Sequence, residues 1–177
     1  GSTITNAQVL VNGADSAFTY KVTVDEFAQN RMKFWYVNIN GNLDQNEITT
    51  NVSLSDSAKK ERFALSATMQ NNKDTQIIQL HPGLKLNYET WQVNEPNRIV
   101  LAKNGMYVQN FQINNNNQYI KINSEQPKPN TPLRVDISNF MLADITRMIS
   151  SDTLLANGVL GGNIVLERTV PTPALTS

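Results

Sequence analysis

Ile48-Thr49-Thr50-Asn51-Val52-Ser53-Leu54, followed by Phe63-Ala64-Leu65-Ser66-Ala67-Thr68-Met69, decides the fold class. In the first run Ile48, Thr50, Val52 and Leu54 take every second place, with Thr49, Asn51 and Ser53 between them. The second run repeats the pattern through Phe63, Leu65, Ala67 and Met69. Successive side chains of a strand point to opposite faces, so this alternation marks half-buried strands and not helices. Tyr20-Lys21-Val22-Thr23-Val24 reads the same way, as do Ile99 with Leu101, Met106 with Val108, Ile120 with Ile122, Val135 with Ile137, and Ile164 with Leu166. Short polar links separate the runs: Gly41-Asn42, Asn71-Asn72-Lys73-Asp74, Lys103-Asn104-Gly105, and Asn114 to Asn117. Asn and Gly tolerate the positive φ of tight hairpins, and links this short join antiparallel neighbours. The expectation is a mainly β chain, an antiparallel meander of about ten strands.

Met106 to Ile113 breaks the rhythm, since Met106 and Val108 fall on one parity and Phe111 and Ile113 on the other. A bulge near Asn110 would bring all four to one face, because one extra residue flips the register. One short helix is expected from Leu142 to Ser150, where Leu142, Ile145, Met148 and Ile149 form a stripe that must dock on the sheet. Gly1-Ser2 reads as the scar of a removed tag. Residues 3–169 form one β-rich domain, a fragment of a longer protein. Residues 170–177 carry Pro171 and Pro173, which suit a linker or an extended edge and not a central strand.

Solubility rests on amides: 35 of the 177 residues are Asn or Gln, while charged residues are only 17%. Fifteen cations balance fifteen anions, and the densest run, Lys59-Lys60-Glu61-Arg62, carries its own carboxylate and suits a turn or strand start. Nucleic-acid binding, which needs several convergent cations, is not expected. With no cysteine, disulfides, thiolate zinc sites and cysteine nucleophiles are excluded. No apolar run approaches the roughly 18 residues of a membrane-spanning helix.

The chemistry-bearing residues do not assemble into a catalytic pattern. His81 is the one histidine, and His81-Pro82-Gly83 reads as a turn. No nucleophile elbow or phosphate loop is present, and Gly161-Gly162-Asn163 reads as a turn or bulge. Asp44 and Glu47 bracket a hairpin turn, and Glu89 and Glu95 flank Trp91. Acids this numerous come near one another by chance, so no glycosidase pair is selected. Asn51-Val52-Ser53 matches a glycosylation acceptor but arises easily in an Asn-rich strand. Phe34-Trp35-Tyr36 and Trp91 near Tyr88 could form a sugar platform; the shared parity of Trp35, Val37 and Ile39 instead points to a core face. A non-enzymatic chain with no metal and no cofactor is expected.

From His81 onward the order of motifs resembles a known family. His81-Pro82-Gly83-Leu84-Lys85-Leu86, Trp91-Gln92-Val93 and Asn97-Arg98-Ile99 lead into Asn104-Gly105-Met106-Tyr107-Val108, Asn110-Phe111 and Gln118-Tyr119-Ile120-Lys121-Ile122. A second block holds Pro132-Leu133-Arg134-Val135-Asp136, Phe140, Leu154-Leu155 and Gly158-Val159-Leu160-Gly161-Gly162. Together these resemble the repeated segments of TamB-type, AsmA-like proteins in their long Bacteroidota versions.

The resemblance implies a segment of an inner-membrane-anchored protein that spans the periplasm of the Gram-negative cell envelope. It implies strands rolled into a half-pipe, or β-taco, whose apolar groove shields phospholipid acyl chains in transit between membranes. It further implies support of outer-membrane protein assembly with an Omp85-type partner bound elsewhere on the parent protein. The family carries no catalytic residues. Val22, Val24, Ile48, Val52, Leu54, Phe63, Leu65, Leu101, Val108, Ile120 and Ile122 are then expected to line the groove. Alternation alone fits a closed or open β-sandwich equally well, and a cell-surface carbohydrate-binding or adhesive sandwich is the alternative function.

Overall fold

The computed structural model describes residues 2–14, 17–29, 32–143 and 157–167. Its elements are strands β1 (Ser2–Thr5), β2 (Gln8–Ala14), β3 (Ala17–Gln29), β4 (Met32–Asp44), β5 (Glu47–Ser55), β6 (Glu61–Asn71) and β7 (Thr75–Leu80). Three two-residue strands follow: β8 (Lys85–Leu86), β9 (Glu89–Thr90) and β10 (Gln92–Val93). The rest are β11 (Arg98–Ala102), β12 (Gly105–Gln109), β13 (Phe111–Asn115), β14 (Gln118–Ser124), β15 (Leu133–Met141) and β16 (Val159–Leu166). The chain is mainly β, as expected, but with sixteen strands among the described residues where about ten were anticipated. The surplus lies in the first fourteen residues, in β7 and in the two-residue pieces between Lys85 and Val93, where no alternation is long enough to read.

Two antiparallel sheets form, and neither closes into a barrel. The larger runs β1-β3-β4-β5-β6-β7-β11-β12, with β2 continuing along the same edge of β3 as β1 and with β8 and β9 beside β6. The smaller runs β10-β13-β14-β15-β16. Asn110, at φ 50°, separates β12 in the first sheet from β13 in the second, so the expected bulge is instead a change of sheet, and Met106 and Val108 do not share a face with Phe111 and Ile113. Side chains of β14 bridge the seam: Ser124 Oγ accepts from the Val108 N–H at 3.0 Å, and Asn123 Oδ1 from the Asn110 N–H at 2.7 Å.

Gly41-Asn42 is not a turn, contrary to expectation. Both residues lie inside β4, and the hairpin closes through Gln45-Asn46, between Asp44 and Glu47. A Cβ on Gly41 would meet the Thr49 carbonyl oxygen at 1.9 Å and the Tyr20 hydroxyl at 2.7 Å. Glycine is there so that the Tyr20 side chain can cross the sheet and bond Thr50 Oγ1 at 2.6 Å. The turns at 72–74, Lys103-Asn104 and Asn116-Asn117 stand where the sequence places them. The expected helix over Leu142–Ser150 lies, beyond Leu142 and Ala143, outside the described residues, as does the tail 170–177.

The closed core sits at the junction of the two sheets. Leu84, Trp91, Ile113 and Phe140 are buried together, with Leu86, Val93, Phe111, Ile120 and Ile137 packed around them. Trp91 tilts at 50° to Phe140, ring centroids 5.5 Å apart, an arrangement that adds about 0.5–1.5 kcal/mol beyond burial. Phe140 reaches this cluster because β15 shifts register between Ile137 and Phe140, around Asn139 at φ 50°. The extra residue returns the parity, so Ile137 and Phe140 share a face.

Candidate functional site

Register in the larger sheet gathers the apolar residues of seven strands onto one face. Val22, Ile39, Val52 and Leu65 stand directly opposite one another across β3, β4, β5 and β6. A second row, four residues away along β3 to β6, runs Phe18, Leu43, Ile48, Met69, Ile78, Ile99 and Val108, with Tyr20, Gly41, Thr50 and Ala67 between the two rows. Val24, Leu54, Phe63 and Leu101 fall on the same face by strand alternation. The reverse face of β3 to β6 carries Thr23, Asn38, Ser53 and Ala64 in one row and Lys21, Asn40, Asn51 and Ser66 in the next. Between the rows one sheet is apolar on one side and polar on the other.

Among the described residues nothing seals the apolar side over the long strands. Among the described residues of β3, β4 and β5 none is buried, and Leu65 is 37% exposed. A face packed beneath a second sheet would bury such rows almost completely. Burial begins at Phe63 and resumes at Val108, at the end nearest the junction. Among the described residues the apolar face is therefore open along β3 to β5 and buried toward the junction of the sheets.

The residues expected to line a groove thus divide. Val22, Val24, Ile48, Val52, Leu54, Leu65 and Leu101 lie on the accessible part of that face, and Phe63 and Val108 at its buried end. Ile120 and Ile122 belong to the smaller sheet, where Ile120 packs against the closed core. Sequence reasoning left out Ile39, Leu43, Met69, Ile78 and Ile99. Three of them sit in alternating runs already recognised; Leu43 was hidden because Gly41 looked like a turn.

Polar groups are absorbed locally. The Lys60 and Ala58 backbone N–H groups each donate to Asp56 Oδ1 at 2.9 Å, and the Tyr88 hydroxyl donates to Oδ2 at 2.8 Å. The Lys60 bond first, and the Tyr88 bond after it, hold the Asp56 carboxyl below its ordinary value of 3.8. Burial, and then this same bond, push the Tyr88 phenol above 10. Lys60 Nζ and the Arg62 guanidinium both lie over the Tyr88 ring, at 4.9 and 5.8 Å from its centroid. The β5–β6 loop is thereby tied to the β8–β9 hairpin.

His81 is held between Thr68 Oγ1 at 2.7 Å and Glu95 Oε1 at 3.3 Å, so its partners are those of a turn. Glu47 accepts from Gln70 at 2.7 Å. No group of three His, Asp or Glu side chains suited to a metal ion gathers among the described residues. The aromatic residues do not form the flat patch a sugar platform needs. Trp91 is buried in the core, Lys33 lies over the half-buried Trp35 at 5.2 Å, and Lys59 over Tyr36 at 5.2 Å. Tyr36 itself sits at φ 46°, where β4 shifts register against β5, while against β3 Trp35, Val37 and Ile39 keep one register opposite Glu26, Val24 and Val22.

No family model matches the chain, and no curated protein or solved structure is detectably similar to it.

Proposed function

We propose that this chain is a segment of a longer cell-envelope protein whose open apolar face shields lipid acyl chains. The observation behind this reading is the register-aligned apolar face of β3 to β6, backed by a polar face and, among the described residues, sealed by no further layer. Apolar surface left in water costs about 25 cal/mol per Å². A few hundred Å² then costs several kcal/mol, comparable with the roughly 5–15 kcal/mol net stability of a domain. An acyl chain laid along the face recovers about 0.8 kcal/mol per buried CH₂ and needs no polar contact. Most of the residues that line it are Val, Ile and Leu, and the Tyr20 and Thr50 hydroxyls on the same face bond each other at 2.6 Å. The resemblance to TamB-type proteins supplies the wider setting: a periplasmic location, phospholipid carried between membranes, and an Omp85-type partner in outer-membrane assembly.

The test is binding of a fluorescent phospholipid to the purified chain. Val52→Asp with Leu65→Asp puts two charges on the apolar face, and affinity is expected to fall at least about tenfold, since each charge must be desolvated by the acyl chain. Asn51→Asp with Ser66→Asp places the same charges on the reverse face and is expected to leave binding unchanged. Equal affinity in the two variants, both folded by circular dichroism, contradicts the proposal.

A further inference from the structure

We propose that the cavity between the tips of the β8–β9 and β13–β14 hairpins binds a neutral sugar residue of a glycan. The cavity, of about 590 Å³, falls within the roughly 300–1,000 Å³ of small-molecule sites. Its walls come from Lys60 in the β5–β6 loop, from Asn87 and Glu89 at one tip, from Asn116 and Gln118 at the other, and from Trp91. Asn115 Nδ2 donates to the Thr90 carbonyl at 3.1 Å and ties the two hairpins together.

Trp91 points to a ligand. It is almost wholly buried, it forms part of the cavity wall, and among the described residues its indole Nε1 is the buried side-chain polar atom that lacks a partner. A buried donor without an acceptor is costly, and such groups are normally satisfied. The residues packed with it in the core, Leu84, Ile113 and Phe140, have no side-chain acceptor to offer. A ligand oxygen entering from the cavity is the acceptor it lacks.

The amides around the cavity are each half used. Asn87 Oδ1 accepts from Arg62 Nε at 3.3 Å, and Gln118 Oε1 accepts from the Met141 N–H at 3.1 Å. Asn116 Nδ2 donates to Asn115 Oδ1 at 2.6 Å. These bonds fix the three side chains and leave, among the described residues, Asn87 Nδ2 and Gln118 Nε2 as donors and Asn116 Oδ1 as an acceptor. The exposed Glu89 adds a carboxylate without a partner among them. Polar groups already held in place lose little freedom when a ligand arrives.

The same groups select the chemistry of that ligand. Donors and acceptors are mixed, and a hydroxyl is both. The Lys60 ammonium, held over the Tyr88 ring at 4.9 Å, is balanced by Glu89, so the wall carries no net charge to attract an anion. An acyl chain would bury these polar groups without partners. A sugar residue presents several hydroxyls close together and satisfies donors and acceptors at once. It is held by hydrogen bonds and not by stacking, so it needs no flat aromatic patch. None of these residues belongs to the open apolar face, and the inference holds whether or not that face binds lipid.

NMR of the isotope-labelled chain tests it. The chain has two tryptophans and therefore two indole N–H signals, and the Trp91 signal is the one lost in Trp91→Phe. Maltose, cellobiose, lactose and diacetylchitobiose are titrated separately to millimolar concentration. At least one is expected to move the Trp91 signal and leave that of Trp35 in place. Glu89→Ala and Gln118→Met are each expected to weaken that sugar by about tenfold, and Asn51→Ala to leave it unchanged. No movement with any of these sugars overturns the proposal. So does equal movement of both indoles, or unchanged affinity in the Glu89 and Gln118 variants. Movement with phospholipid vesicles and with no sugar also overturns it, and gives the cavity to a lipid headgroup.

Discussion

Trp91→Ala is expected to destabilise the fold by about 3–5 kcal/mol, the largest single-residue effect in the molecule. Trp91 is 1% exposed and packs with Leu84, Ile113 and Phe140 where the two sheets meet. Its backbone N–H also bonds the Leu84 carbonyl at 2.8 Å, fixing the ring where β9 gives way to β10. Truncation opens a cavity in the one cluster to which both sheets contribute, so the sheets lose their common anchor. Trp91→Phe should cost much less than the change in volume suggests. The indole Nε1 is buried without an acceptor among the described residues, and an orphaned donor carries a penalty of about 1–3 kcal/mol that phenylalanine removes. Urea unfolding followed by circular dichroism measures both; a cost below about 1 kcal/mol for the alanine variant contradicts this account of the core.

Asn97→Leu is expected to cost about 2–5 kcal/mol, although it replaces a polar residue by an apolar one at a buried site. The β7–β11 ladder pairs Ile78 with Ile99, and its next regular step would set Leu80 against Asn97. There the Asn97 side chain takes over from the backbone. Its Oδ1 accepts from the Leu80 N–H at 2.9 Å, and its Nδ2 donates to the Leu80 carbonyl at 2.8 Å and to the Asn94 carbonyl at 2.6 Å. Leucine fits the volume but leaves these three backbone groups without a partner. Asn51→Ala, on an exposed face, should change stability by less than about 0.5 kcal/mol. Equal stability of the Asn97 and Asn51 variants would falsify the role given to the amide.

The difference between these two asparagines shows where the sequence stops being readable. Both are short polar residues in an Asn-rich chain, and nothing beside them marks one as buried. The strands β5 and β6 were legible because Ile48 to Leu54 and Phe63 to Met69 alternate without interruption, and alternation is a local property of the chain. The apolar face then follows from hairpin register, which short turns enforce. Trp91 was not placed, because its neighbours in the core come from Leu84, Ile113 and Phe140, each on a different element. Gly41 was misplaced for a related reason: its role depends on Tyr20, across a neighbouring strand, and not on its own flanks. Asn110 was read as a bulge, whereas the chain changes sheet there, held by Asn123 and Ser124. Local pattern specifies the strands; which side remains open to solvent is decided by packing between distant segments.

The most direct measurement places a photo-crosslinking residue at Leu65, on the exposed part of the apolar face, and in a second protein at Asn51, on the reverse face of the neighbouring strand. After irradiation with phospholipid vesicles, mass spectrometry should find lipid adducts at Leu65 and none at Asn51. Adducts at both positions alike, or at neither, would contradict a one-sided acyl-chain surface.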